Sequence, residues 1–249
     1  MELTAGRLAR AMPPLASIEH RKLDFELMDA SIRRLPGPLQ ILEAGCGKSW
    51  PLKLTGVDYR LTGIDLDAVA LRLRVKGVGD LHEAIVGDLC APGAIPAGRF
   101  DVVYSSFVLE HIEAAEQAFK AMVDGLRPGG LLILRIPDRN SVFGWTTRVT
   151  PHWFHVAYYR LVLRHRNAGK PGFAPYPTVH PPVVCRQGIQ QLVERFGCKV
   201  IQEYAHAYYW REGRARHAIH VYARVLHALS LGKLAWRHNN LTYVIRKND

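Results

Sequence analysis

An apolar run, Ile41-Leu42-Glu43-Ala44, enters the turn Gly45-Cys46-Gly47, and about twenty residues later a second apolar run, Leu61 to Ile64, ends in Asp65. Glycines at such a turn let the backbone approach a ligand with no Cβ in the way. An acid at the tip of the second strand can accept hydrogen bonds from both hydroxyls of a ribose. Together they constrain the chain toward a parallel α/β sheet holding a nucleoside at its strand ends. An ordinary strand-to-loop turn has the same local appearance. Lys48, Ser49 and Trp50 follow Gly47 where a dinucleotide fingerprint would need a third glycine, so no pyrophosphate cradle is predicted. No G-x-x-x-x-G-K-[ST] run is present, which excludes a P-loop.

The rest of the first 138 residues repeats the pattern. Ile18, Phe25, Met28, Ile32 and Leu35 recur at helical steps, so residues 17–35 read as an amphipathic helix with Ser17 as N-cap. Strands are expected at 39–44, 59–64, 84–86, 99–104 and 131–136, with helices at 67–76 and 110–126. Continuous apolar strands alternating with helices indicate a parallel sheet covered on both faces. Ligands of such sheets sit beyond the carboxyl ends of the strands. Those ends are Gly45-Cys46-Gly47, Asp65, Asp88, Ser105-Ser106 and Pro137-Asp138. Beyond them, a helix is expected near 155–164, another over 185–196, a strand at 199–204, a basic helix at 214–232 and a last strand at 241–246.

Five segments, Leu42 to Gly47, Leu61 to Asp67, Gly87-Asp88-Leu89, Phe100 to Ile112 and Leu126 to Leu134, resemble the class I S-adenosylmethionine-dependent methyltransferases in order and spacing. The resemblance covers roughly residues 39–138. It implies a Rossmann-like, seven-stranded, mostly parallel α/β sheet with helices on both faces and a small cap after the fifth strand. The implied organisation is one methyltransferase domain over 1–249: an N-terminal helical segment (1–38), a cofactor-binding core (39–138), a substrate cap (139–182) and closing elements (183–249). It also implies S-adenosyl-L-methionine as cofactor. Glu43 would orient the glycine loop and help hold the cofactor's amino group. Gly45, Cys46 and Gly47 would line its methionine and ribose portions, and Asp65, with Leu66 beside it, would take the ribose hydroxyls. Asp88 would bond the adenine amine next to Leu89, and Ser105 and Ser106 would lie near the sulfonium and the substrate mouth.

One departure stands out. Only seventeen residues separate Gly47 from Asp65, so the family's first helix must be short or absent. Trp50, within that stretch, either walls the pocket or joins the core. A general base is needed only for a protonated acceptor. The base candidates are His180, in the loop after the fifth strand, and His111, with His152 and His155 beside them. No metal site is expected.

Charge divides the chain. Residues 1–138 carry 16 Lys and Arg against 18 Asp and Glu, a net of −2, while residues 139–249 carry 17 against 4, a net of +13. A basic half fits an anionic partner or a solvated surface. The leading expectation is methyl transfer to an O, N or C nucleophile of a small molecule, anionic or lipid-like, with Arg139, Arg148, Arg160, Arg164 and Arg166 as anion binders. Alternatives are an RNA methyltransferase using the basic half, and a membrane-peripheral, non-catalytic cofactor-binding protein contacting lipid through the amphipathic stretch 217–229. The common base-amino and cytosine C5 motifs are absent around Ser105-Ser106-Phe107-Val108, which disfavours nucleic acid. A nicotinamide dehydrogenase is disfavoured by the missing third glycine. Four cysteines without C-x-x-C spacing, no leader-like apolar segment and no spanning run lead to the expectation of a cytoplasmic protein.

Overall fold

Leu39, Ile41, Leu42 and Ala44 are all buried in the strand β2 (Leu39–Ala44), which lies inside an eight-stranded sheet. The computed structural model describes residues 15–18, 21–206 and 216–249. The other strands are β1 (Ala16–Ile18), β3 (Tyr59–Asp65), β4 (Glu83–Val86), β5 (Phe100–Ser106), β6 (Leu126–Pro137), β7 (Cys198–His206) and β8 (Asn240–Lys247). Their order is β1-β7-β8-β6-β5-β2-β3-β4. The strands from β4 to β6 run parallel, and β8 is antiparallel to both its neighbours. The chain builds outward from β2 through β3 to β4, then returns to β5 on the other side of β2. The carboxyl ends of β2 and β5 are therefore the switch point where such sheets bind ligands.

The sheet has one strand more than the seven expected. Ser17 is not a helix cap; it lies in β1, paired with Ala205 of β7, and α1 begins only at Arg21 (Arg21–Ile32). The start of the expected basic helix, 214–215, and residues 1–14 lie outside the described residues.

Neighbouring strand residues face opposite ways, so each strand feeds two cores. Leu42, Ala44 and Val103 join the layer beneath α3 (Ala115–Gly125) and α6 (Arg186–Arg195), with Phe119 and Leu192. Ile41, Val102 and Tyr104 join the layer beneath α1, with Met28 and Ile32. Residues 45–58 form no helix; Leu52 and Leu54 drop into this second layer instead. Trp50 packs edge-on against Tyr104 at 5.4 Å, which makes it core and not a pocket wall.

Helix α2 (Ala68–Gly77) is capped by Asp67, whose Oδ1 accepts from the amides of Val69 and Ala70. The segment after β6 folds as two short helices, α4 (Val142–Val149) and α5 (His152–Leu161), followed by an irregular stretch back to the rim. Helix α7 (Arg216–Leu229) packs Ala223, Ile219 and Leu226 on Val142 and Phe143. No described helix is long and apolar enough to cross a membrane.

Candidate functional site

The glycine turn is held from two directions. The amides of Gly45 and Cys46 both donate to the Ile64 carbonyl, at 2.8 and 3.1 Å. The Gly47 amide donates to Asp65 Oδ2 at 2.7 Å, and the Asp67 amide to Asp65 Oδ1 at 2.8 Å. Both glycines adopt positive φ, +72° at Gly45 and +52° at Gly47. A Cβ on Gly45 would clash with the Val108 side chain, whereas one on Gly47 would meet nothing within 4 Å. Space therefore opens above Gly47, beside a carboxylate fixed by two amides.

Sequence reasoning missed the residue that organises this turn from below. Arg74 of α2 is wholly buried. Its Nη1 donates to Glu43 Oε2 and to the Cys46 carbonyl, both at 2.6 Å, while Nε and Nη2 each donate to Asp80 at 3.0 Å. Glu43 thus faces Arg74. Burial pushes its carboxyl up to about 8 against the pull of the guanidinium. The Cys46 side chain is buried beside Gly63, and burial pushes its thiol up to about 12, so it is no nucleophile. A signal for Arg74 existed: an acid inside an apolar strand, Glu43, needs a buried cation.

The other predicted residues take varied positions on the rim. Asp88 is exposed, and its Oδ1 accepts from the Cys90 amide at 2.8 Å. Leu89 is buried in the α3 core layer, whereas Leu66 is 72% exposed beside Asp65. Ser105 is fully buried in the sheet, on the face opposite Ser106. Ser106 Oγ accepts from Arg135 Nη1 at 3.1 Å. Arg135 also donates to the buried Asp24 of α1 at 2.8 Å, and its guanidinium lies near the rings of Phe25 and Phe107 at 5.0 and 4.9 Å. That network too went unread, although an arginine inside the apolar run Leu131 to Ile136 marks a buried charge in need of a partner. Asp138, at the end of β6, is paired: its Oδ2 lies 2.7 Å from His238 Nε2.

His111 and His180 come together through Glu110. The amides of Val179 and His180 both donate to the Glu110 carbonyl, at 2.8 and 2.9 Å. His111 Nδ1 lies 2.6 Å from the Pro177 carbonyl, which can only accept, so Nδ1 carries the proton. Thr147 Oγ1 donates to its own helix backbone, so His180 Nε2, at 3.2 Å, donates to Thr147 Oγ1. His180 Nδ1 is then a bare, buried lone pair with no described partner. Burial first, and then the nearby Arg148, lower His180 to about 4, so it stays neutral near pH 7. Burial likewise lowers His111 and raises the Glu110 carboxyl to about 8. His155 bonds Thr150 at 2.7 Å, and His152 lines a groove along one edge of α5.

The segment expected as a cap reaches the rim. Gly172 N and Tyr176 Oη donate to Asp67 Oδ2 at 2.9 and 3.1 Å, and Lys48 Nζ sits 3.7 Å above the Phe173 ring. Between this strap and the glycine turn is a cleft of about 450 Å³, lined by Gly47, Lys48, Asn167, Phe173 and Tyr176 among others. That volume is in the range of small-ligand sites.

A family described as "Methyltransferase domain" matches residues 17–203. A probable S-adenosylmethionine-dependent methyltransferase of Mycolicibacterium smegmatis is 28% identical over 134 residues, 52% of this chain and 50% of that protein. A trans-aconitate 2-methyltransferase of Paracidovorax citrulli is 26% identical over 104 residues, 41% of this chain and 40% of that protein. The matches span about half the length of these curated relatives or less. A crystal structure of an S-adenosylmethionine-dependent methyltransferase from Listeria monocytogenes shares the fold at 15% identity, with a TM-score of 0.58 over 92% of this chain and 99% of that one. With a family match across most of its length and a fold shared with a solved methyltransferase structure, the chain belongs to the class I S-adenosylmethionine-dependent methyltransferases.

Proposed function

We propose that this protein transfers the methyl group of S-adenosylmethionine to a nucleophile on a small anionic acceptor held under the segment 139–182. The observation that carries the reading is the Asp65 carboxylate, clamped by the Gly47 and Asp67 amides at the switch point, with open space above Gly47. The residues fit the cofactor: Asp65 for the ribose hydroxyls, the glycine turn for close backbone approach, Asp88 Oδ2 for the adenine amine. The cofactor supplies an activated methyl on a sulfonium.

The protein's own contribution is alignment and exclusion of water, which can supply about 7–11 kcal/mol of the barrier. Arg139 Nε donates to the His180 carbonyl at 2.8 Å. Arg148, on α4 beside Thr147, is lowered by burial and by Arg139. Among the described residues neither arginine has a carboxylate partner, and an acceptor anion would neutralise the pair. A carboxylate or phosphate oxygen attacks without losing a proton. A hydroxyl acceptor would give its proton to His180 Nδ1, with His111 as the second candidate. The low proton affinity of His180 favours the acceptor that is already ionised.

Calorimetric titration with S-adenosylmethionine, S-adenosylhomocysteine and NAD, repeated on Asp65→Ala, tests the reading. Both sulfur nucleosides should bind the wild type, and the variant should bind them about tenfold or more weakly, as for loss of a charged hydrogen bond. Tight NAD binding, or no binding of either sulfur nucleoside, would overturn it.

A further inference from the structure

Helix α5 is built inside out. Trp153, Phe154, Tyr158, Leu161 and Val162 fall on one arc of the helix at 3.6 residues per turn, and that arc is the exposed one. Trp153 is 69% exposed, Phe154 49%, Leu161 80% and Val162 61%. The partly buried side carries His155, Val156 and Tyr159. A surface helix of a soluble domain normally turns its apolar stripe inward. A contiguous exposed apolar stripe of this kind marks a contact surface.

The charge around it selects the partner. From residue 139 to residue 193 there are seven Lys and Arg and no Asp or Glu. Arg160 borders the apolar arc, and Arg164, Arg166 and Lys170 follow within ten residues of it, all exposed. Arg160 is fixed by two bonds to the Ala168 carbonyl, at 3.0 and 2.8 Å, so the basic loop is tied to the helix. A groove of about 510 Å³ runs along the same helix, between Trp153, Val156, Leu161 and Gly169. An apolar, aromatic-rich face rimmed by cations and free of acids matches the headgroup boundary of an anionic bilayer. A nucleic acid would meet the cations and leave the aliphatic face in water.

We propose that the outward face of α5, with its following basic loop, docks this protein onto the surface of an anionic lipid bilayer without spanning it. The docking stands apart from the methyl-transfer reading, because it requires neither cofactor nor acceptor. The strap that begins below α5 ends at Asp67 and His111, so the docked face and the rim belong to one continuous segment.

Co-sedimentation with vesicles tests this. Vesicles of phosphatidylcholine alone and of equimolar phosphatidylcholine and phosphatidylglycerol are compared, with wild type, the triple variant Trp153→Ser/Phe154→Ser/Leu161→Ser, and the double variant Arg164→Gln/Lys170→Gln. The wild type should partition onto the acidic vesicles and be released by salt. The triple variant should lose more than tenfold of that affinity, and the double variant about fivefold per charge removed. The substituted side chains are exposed, so thermal melting should be unchanged and loss of fold can be recognised if it occurs. Failure of the wild type to bind acidic vesicles, or equal binding by the triple variant, overturns the proposal. So does a wild-type dimer that the triple variant converts to monomer in the absence of lipid.

Discussion

Arg74→Met is the sharpest test of how the glycine turn is held. The substitution keeps most of the buried volume and removes every donor of the guanidinium. Three costs follow from the geometry. The Cys46 carbonyl loses its buried donor at 2.6 Å, which costs about 1–3 kcal/mol. The Glu43 carboxyl loses a bond worth about 1 kcal/mol and is left neutral near pH 7, because burial already lifts it to about 8. The paired bonds to Asp80, which is about a quarter exposed, add at most about 1 kcal/mol. The total is about 2–5 kcal/mol. Urea unfolding at neutral pH should show this as a lower midpoint with unchanged slope. The pH trend distinguishes the mechanism from simple loss of packing. A carboxyl raised in the folded state contributes stability below its unfolded value, and that stability is lost as pH rises through the folded value. In the wild type the Glu43 window runs from about 4.5 to about 8. Without Arg74 the folded value climbs further, so the deficit of the variant should grow by up to about 1.4 kcal/mol per pH unit above pH 8. Adding Glu43→Gln should abolish that growth. A deficit under about 1 kcal/mol, or a pH trend that survives in the double variant, would refute the reasoning.

The remaining predictions follow from the two glycines and from Glu110. Gly45→Ala should cost about 2–4 kcal/mol in a urea titration, from the clash with Val108 plus a left-handed φ. Gly47→Ala should cost only about 1 kcal/mol in stability yet weaken S-adenosylmethionine in a calorimeter more than Gly45→Ala does, since its Cβ enters the open space a ligand would use. Equal effects of the two on both readouts would contradict that division. Glu110 faces His111 Nε2 at 3.8 Å, an imidazole that burial pushes toward its neutral form, and burial raises the Glu110 carboxyl to about 8, so its share of stability is present below about pH 4.5 and lost as pH rises to about 8. Melting of Glu110→Gln from about pH 5 to about pH 9 should therefore fall less steeply than that of the wild type; parallel curves would place the carboxyl in water.

Much of the fold was legible because its signals are local. Continuous apolar runs, a glycine at each turn and an acid closing β3 are all short-range features, and they located the switch point. The missing first helix was legible as a count of residues between Gly47 and Asp65. What escaped was long-range. The strand β1 is three residues long, and it exists only because the edge of β7 offers Tyr204, Ala205 and His206 as partners. Arg74 lies 31 positions from Glu43, and Asp24 lies 111 from Arg135. Nothing local in α1 or α2 tells that those charges turn inward, although Glu43 and Arg135, each alone in an apolar strand, announced that something must.

Position along a strand also decides which predicted residues can meet a ligand. Ser105 and Ser106 are adjacent and chemically identical, and both lie near the end of β5. Alternation buries Ser105 within the sheet and leaves Ser106 half-buried against Arg135. The same logic governs the histidines. His111 follows β5 directly and His180 is 69 residues further on, yet both are fixed by the 3-10 turn Leu109–His111, whose Glu110 carbonyl receives two amides from the strap. Asp67 anchors the strap at its other end while capping α2 and standing two residues from Asp65. Lifting the whole strap off the rim must therefore break bonds at Asp67 and at Glu110 and His111 together. Release of the strap from Asp67 alone would leave His180 fixed to Glu110, so access over the glycine turn can open without disturbing the base candidate.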